Sequence, residues 1–162
     1  MNVPNGLFVK MVIDAWNKEL GATNKLLDKL TDEQLMQEVS PSRNRGIYLL
    51  GHLTAEHDQM MPLLRFQEAT HPELVPIFLD APDKAIATLP SLQQLRAYWM
   101  AVNDTLMGHI ARLPADEWFT RHANITEADF PNEPHRNRLN VVLSRTTHLS
   151  NHRGQLTLLT NK

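Results

Sequence analysis

Residues 69–90, ATHPELVPIFLDAPDKAIATLP, separate two long amphipathic stretches and decide how those stretches can be arranged. Prolines at 72, 76, 82 and 90 prevent one continuous helix from forming, so the segment reads as a connection. It covers about 22 residues, far more than the few that join antiparallel neighbours. Even partly coiled, a connection of this length can traverse a whole bundle. The helices on either side are therefore expected to run parallel.

Working outward, four segments carry helical apolar periodicity. The first runs from about Leu7 to Leu30, with Phe8, Met11, Val12, Ala15, Trp16, Leu20, Leu27 and Leu30 mostly on one face. Thr31 or Asp32 then caps a short extra turn. After the SPSRNRG loop a second helix runs from about Gly46 to Glu68, with Leu49, His52, Leu53, Glu56, Met60, Leu63 and Leu64 inward; Pro62 marks a kink or an early stop. Ser91 caps a third helix, to about Leu113, which turns Leu92, Leu95, Trp99, Val102, Leu106 and Ile110 inward. Residues 120–135 are polar and irregular. The fourth helix runs from about Asn137 to Thr160, its stripe holding Val141, Val142, Arg145, His148, Leu149, His152, Gln155, Leu156 and Leu159. Sustained strand-like alternation is lacking. The expectation is an all-α, four-helix bundle connected up-down-down-up, forming a single domain over residues 1–162. The second and fourth helices would then be antiparallel.

Composition narrows the function. Sixteen Lys and Arg are scattered among eighteen Asp and Glu, giving a net charge of −2, so there is no basic field for phosphate backbones and no nucleic-acid partner is expected. No cysteine is present, which excludes disulfides, thiolate ligands and a cysteine nucleophile, and fits a cytoplasmic setting. The start, MNVPNGLFVKMVIDAW, offers a Pro4-Asn5-Gly6 turn and no signal-peptide pattern, and no stretch is long enough to span a membrane. Any bound metal must be held by His, Asp, Glu or backbone.

His148 and His152 stand one helical turn apart and project from the same face. Alone, this spacing also suits surface or core polar packing. Both residues fall on the inward stripe, however, and two buried imidazoles need partners. His52 falls on the inward stripe of the second helix. Three inward histidines from two helices make a facial metal site that leaves positions for water or substrate. In an antiparallel pair, Glu56 and Arg145 would lie at one level beneath that site and form an ion pair; otherwise both reach the rim and stay solvated. Gln155 either orients a ligand from behind or is an ordinary polar helix residue. Gly154 either permits a close helix approach or is simply tolerated, and Arg153 points off the stripe toward substrate, rim or another subunit. His57, about 100° from Glu56, is expected to be exposed. His71, His109, His122 and His135 sit in loops or on polar faces. Trp16 and Trp99 read as core, and Trp118 packs under the loop or lines a pocket.

The run RNRGIYLLGHLTAEHD, followed about 96 residues later by HLSNHRGQL, resembles the DinB-like (DinB/YfiT-like) superfamily of metal-dependent enzymes, and the likeness extends over essentially the whole chain. The resemblance implies an up-down-down-up four-helix bundle and a divalent ion (Zn, Ni or Fe) held by His52, His148 and His152. It also implies a homodimer, and a function as a thiol-dependent transferase or a hydrolase acting on a small molecule, with a low-molecular-weight thiol as one partner. The competing reading is a non-catalytic, stress-induced protein that uses the ion or the cleft to bind a ligand. No general base can be named from the sequence; Glu56 is the nearest candidate, and Arg145 would neutralise it.

Overall fold

The computed structural model describes residues 5–162. Among them the chain is all-α, with six α-helices, short 3-10 turns and no strand. Four helices are long: α1 (Asn5–Lys29), α3 (Gly46–Leu63), α5 (Leu92–Arg112) and α6 (Arg138–Thr157). Two are single turns, α2 (Asp32–Leu35) and α4 (Val75–Phe78).

The helix boundaries follow from local chemistry. Thr31 is the N-cap of α2 and Ser91 that of α5; each forms a reciprocal capping box with the glutamine three residues on. Asn137 caps α6 by accepting from the Asn140 N–H. The C-terminus of α1 is closed from a distance. The Arg96 guanidinium on α5 donates to Leu27 O at 2.9 Å and Leu30 O at 2.7 Å, carbonyls with no helical partner. α3 stops at Leu63 instead of reaching Glu68, because Pro62 removes a backbone donor in the last turn and Arg65 turns the chain at φ 60°. Asn5 and Gly6 belong to α1 and make no turn; Pro4 lies outside the described residues.

α3 is buried on several faces. Leu49, Leu50, Leu53, Met60 and Met61 are all fully inaccessible, along with His57 and Asp58. It packs on α5, on α6 and on the crossover. The crossover is ordered by what α3 offers it. At its start, the buried Asp58 carboxylate accepts from Thr70 N, Thr70 Oγ1 and His71 N at 2.7–2.9 Å. At its end, Tyr48 Oη donates to Ala81 O at 2.7 Å and Arg45 pairs with Asp83 at 2.6 Å. Between these anchors Leu74 and Phe78 are fully buried. Each such side chain is worth about 1.5–3 kcal/mol of burial. The chain thus retraces α3 from its C-terminal end to its N-terminal end before α5 begins.

The contacts between long helices record their directions. His57 meets Asn103 and Phe66 stacks on His109, so α3 and α5 advance together. Trp16 reaches Met107 while Asn24 reaches Trp99, so α1 and α5 run oppositely. Trp16 and Trp99 are core residues, and Trp118 is buried edge-on to Phe66. Phe8 and Met11, expected on the inward stripe, are 50% and 60% exposed, because the core reaches α1 only through Val9, Val12, Ile13 and the residues beyond. No described helix is long and apolar enough to cross a membrane.

Candidate metal centre

His52 projects from α3, and His148 and His152 from α6, all partly buried. Their ring nitrogens lie within 4.8 Å of one another, and this is the one group of three or more metal-ligating side chains among the described residues. His148 Nε2 is 3.2 Å from His52 Nε2 and 3.1 Å from His152 Nε2.

The far sides of two rings fix what their near sides present. His52 Nδ1 donates to Phe78 O at 2.9 Å, and His152 Nδ1 donates to Gln155 Oε1 at 3.0 Å. With the proton on Nδ1, each Nε2 carries a bare lone pair. His148 Nδ1 is buried without a partner. A proton on His148 Nε2 could be shared with one neighbour at a time and would leave the other lone pair facing nitrogen. A cation at the common centre answers all three. A tetrahedral ion with bonds of about 2.0–2.1 Å separates its nitrogens by about 3.3 Å, close to the two spacings made by His148 Nε2. The donor set therefore fits a divalent ion. Burial pushes the His148 imidazole down to about 4, helped by His152, His52 and Arg145. Burial also lowers His152, against the hydrogen bond that its Nδ1 donates to Gln155 Oε1. Both rings are thus neutral near pH 7, the form a metal requires.

The position of Phe78 O depends on a glycine. A Cβ at Gly51, the residue before His52, would lie 2.3 Å from Phe78 Cε1. Only a residue with no side chain lets the Phe78 ring of α4 come this close to α3 with its carbonyl at the imidazole. Nothing lies within 4 Å of a Cβ built at Gly154, so that glycine does not permit a close helix approach.

One turn below the histidines, Arg145 Nη2 donates to Glu56 Oε2 at 2.9 Å, forming the expected ion pair. His52 beside His148 and His152, with Glu56 beside Arg145, also fixes α3 and α6 as antiparallel. Arg153 is held by Glu19 of α1. Gln155 stands behind His152, as noted.

His57 overturns its expected exposure. It is fully buried between Trp16 and Trp99, with ring centroids at 5.0 and 4.9 Å. Its Nδ1 donates to Asn103 Oδ1 at 2.8 Å, while Asn103 Nδ2 donates to Trp99 O. Its Nε2 has no partner, and burial pushes its pKa down to about 3. The single-face stripe failed here because α3 packs on more than one side. The apolar residues at Ile47, Tyr48, Leu50, Ala55 and Met61, off the stripe, carried that signal. Of the other histidines, His71 contacts Glu73 and Tyr98, His109 contacts Gln67 and Phe66, and His122 Nδ1 accepts from Asn124 N.

The family model of the DinB superfamily matches residues 15–156. The chain belongs to the DinB superfamily. The matched span holds all three histidines and the crossover that supports them. Among curated proteins none matches this chain.

Proposed function

We propose that this DinB-superfamily protein is a divalent-metal-dependent enzyme, a thiol-dependent transferase or a hydrolase of a small molecule, with His52, His148 and His152 as the ligands. In this reading the four long helices form one up-down-down-up bundle over the whole chain, a topology supported by the retraced crossover and the helix directions. The observation that carries the proposal is the convergence of three imidazole nitrogens within 4.8 Å, with His148 Nε2 at 3.2 and 3.1 Å from the other two, and with two rings aimed by acceptors behind them.

The ion, Zn, Ni or Fe, would supply Lewis acidity, lowering the pKa of water or a thiol brought to it and polarising an electrophile. The protein's own part is orientation. Phe78 O and Gln155 Oε1 hold two imidazoles in the tautomer that presents Nε2. Arg145 engages Glu56 Oε2, so that carboxylate is committed to an ion pair that stiffens the floor of the site.

Protein purified without an affinity tag is expected to carry about one divalent ion per chain by elemental analysis. His52→Ala and His148→Ala should lose it and keep the helical fold, and turnover on a panel of thiol-transfer and ester substrates should vanish with it. Failure of the wild type to take up Zn, Ni or Fe would refute the metal centre. Collapse of stability on metal loss, with no turnover on either panel, would favour the non-catalytic binding reading. The homodimer implied by the family resemblance is tested by sedimentation velocity.

A further inference from the structure

A pocket of about 490 Å³ opens between the loop that precedes α3 and the C-terminal end of α6. This volume is in the range that takes a small organic ligand. Its polar wall is formed by Ser40, Ser42, Arg43, Asn44 and Gln155, and Val39 and Leu158 make its apolar wall. Arg43 is the one charged residue lining it, and no acidic side chain faces it. Among the described residues Arg43 has no ion pair, and the side chains of Ser40, Ser42 and Asn44 have no protein hydrogen-bond partner.

The loop presenting these groups is held in shape. Val39 N donates to Asn44 O and Arg43 N to Ser40 O, each at 3.0 Å, and Ser42 N donates to Glu38 Oε2 at 2.9 Å. Ser42 sits at φ 63°, a conformation that costs a non-glycine residue energy and persists only where its surroundings impose it. Ser42 and Arg43 are exposed and Ser40 and Asn44 half-buried, so a ligand would replace water at these groups, and the pinned backbone fixes where they stand. One lining residue, Gln155, also stands behind His152, on the side of the ring away from the shared Nε2 centre. Gln155 uses Oε1 on His152, which leaves its Nε2–H₂ free to donate into the pocket.

We propose that this pocket binds a small carboxylate ligand with an apolar body through the guanidinium of Arg43. Arginine's planar fork matches a carboxylate in two parallel hydrogen bonds, and Val39 and Leu158 cover the apolar body. This binding does not rest on the metal-enzyme reading.

The test is an amide NMR titration of zinc-loaded protein with acetate, benzoate and hippurate, each compared with its uncharged amide. Hippurate is expected to shift the amides of residues 39–44 and 155–158 saturably, and hippuramide to bind about tenfold or more weaker. Arg43→Glu should abolish that preference and Arg43→Lys should keep part of it. Both should melt with the wild type, because the Arg43 side chain bonds to nothing in the protein. If none of the three carboxylates moves these amides at millimolar concentration, or if Arg43→Glu binds hippurate as the wild type does, the proposal is overturned. Repeating the titration on His148→Ala separates the two readings. Arg43-dependent binding there supports the pocket whatever becomes of the metal. Metal uptake by the wild type without Arg43-dependent carboxylate binding removes the pocket and leaves the metal centre standing.

Discussion

Replacing Gly51 by alanine tests the link between core packing and the candidate metal centre. A Cβ at this position would lie 2.3, 2.4 and 2.6 Å from three carbons of the Phe78 ring. Carbon–carbon contact needs about 3.5 Å, so the ring must retreat by about 1.2 Å. Phe78 is fully buried and Tyr48 packs on it at 5.8 Å between centroids, so the ring cannot turn aside and its backbone must move with it. A shift of that size takes the 2.9 Å bond from His52 Nδ1 to Phe78 O beyond hydrogen-bond length. Overpacking costs about 1–3 kcal/mol, against a gain of about 1 kcal/mol for removing a helical glycine. Loss of the acceptor behind a ligating imidazole costs about 10- to 100-fold in metal affinity. Gly154→Ala is the matched control: it lies in a helix with open space around it and should gain up to about 1 kcal/mol with metal affinity unchanged. Urea unfolding should separate the two variants by about 1–3 kcal/mol, and zinc titration against a competing chelator should show the affinity loss only in Gly51→Ala. Equal behaviour of the two alanine variants in both assays would refute the reasoning.

Three further outcomes follow from the same structure. Glu56→Gln leaves Arg145 without its carboxylate and should cost about 1.5 kcal/mol, the low end for a charged hydrogen bond, since both side chains keep some water. It should also weaken divalent binding by leaving an uncompensated positive charge, and an unchanged chelator competition would contradict this. Because burial lowers His57 to about 3 in the folded state, from about 6.5 unfolded, the unfolded chain binds the extra proton between those values. The stability contributed by neutral His57 is therefore complete above pH 6.5 and declines as pH falls toward 3, by about 1.4 kcal/mol per pH unit. In urea midpoints measured on metal-free protein, His57→Gln should show a shallower slope over that window, and a slope equal to the wild type's would count against the buried neutral imidazole. Arg96→Met should cost about 1–3 kcal/mol by orphaning the carbonyls of Leu27 and Leu30, with Arg96→Lys restoring little because an ammonium lacks the fork that reaches both; full rescue by lysine would argue against the fork.

The all-α class, the long helices to within a few residues and the Ser91 cap were legible in the sequence, which also narrowed the α2 cap to Thr31 or Asp32, of which the fold uses Thr31. These depend on local periodicity and on bonds spanning a turn, which neighbouring residues carry on their own. It also carried the three histidines and the Glu56–Arg145 pair, because residues one turn apart on an inward face keep their register when two helices meet. Tertiary structure alone decided what stands behind those rings. Phe78 O reaches His52 only because the crossover doubles back along α3 and Gly51 leaves room for a ring, and no local pattern encodes that approach. The burial of His57 was likewise out of reach, since a one-faced stripe cannot describe a helix enclosed on several sides by partners distant in the chain. The same holds for the pocket at Arg43, whose walls come from residues 39–44 and 155–158 and exist only once α3 and α6 lie side by side.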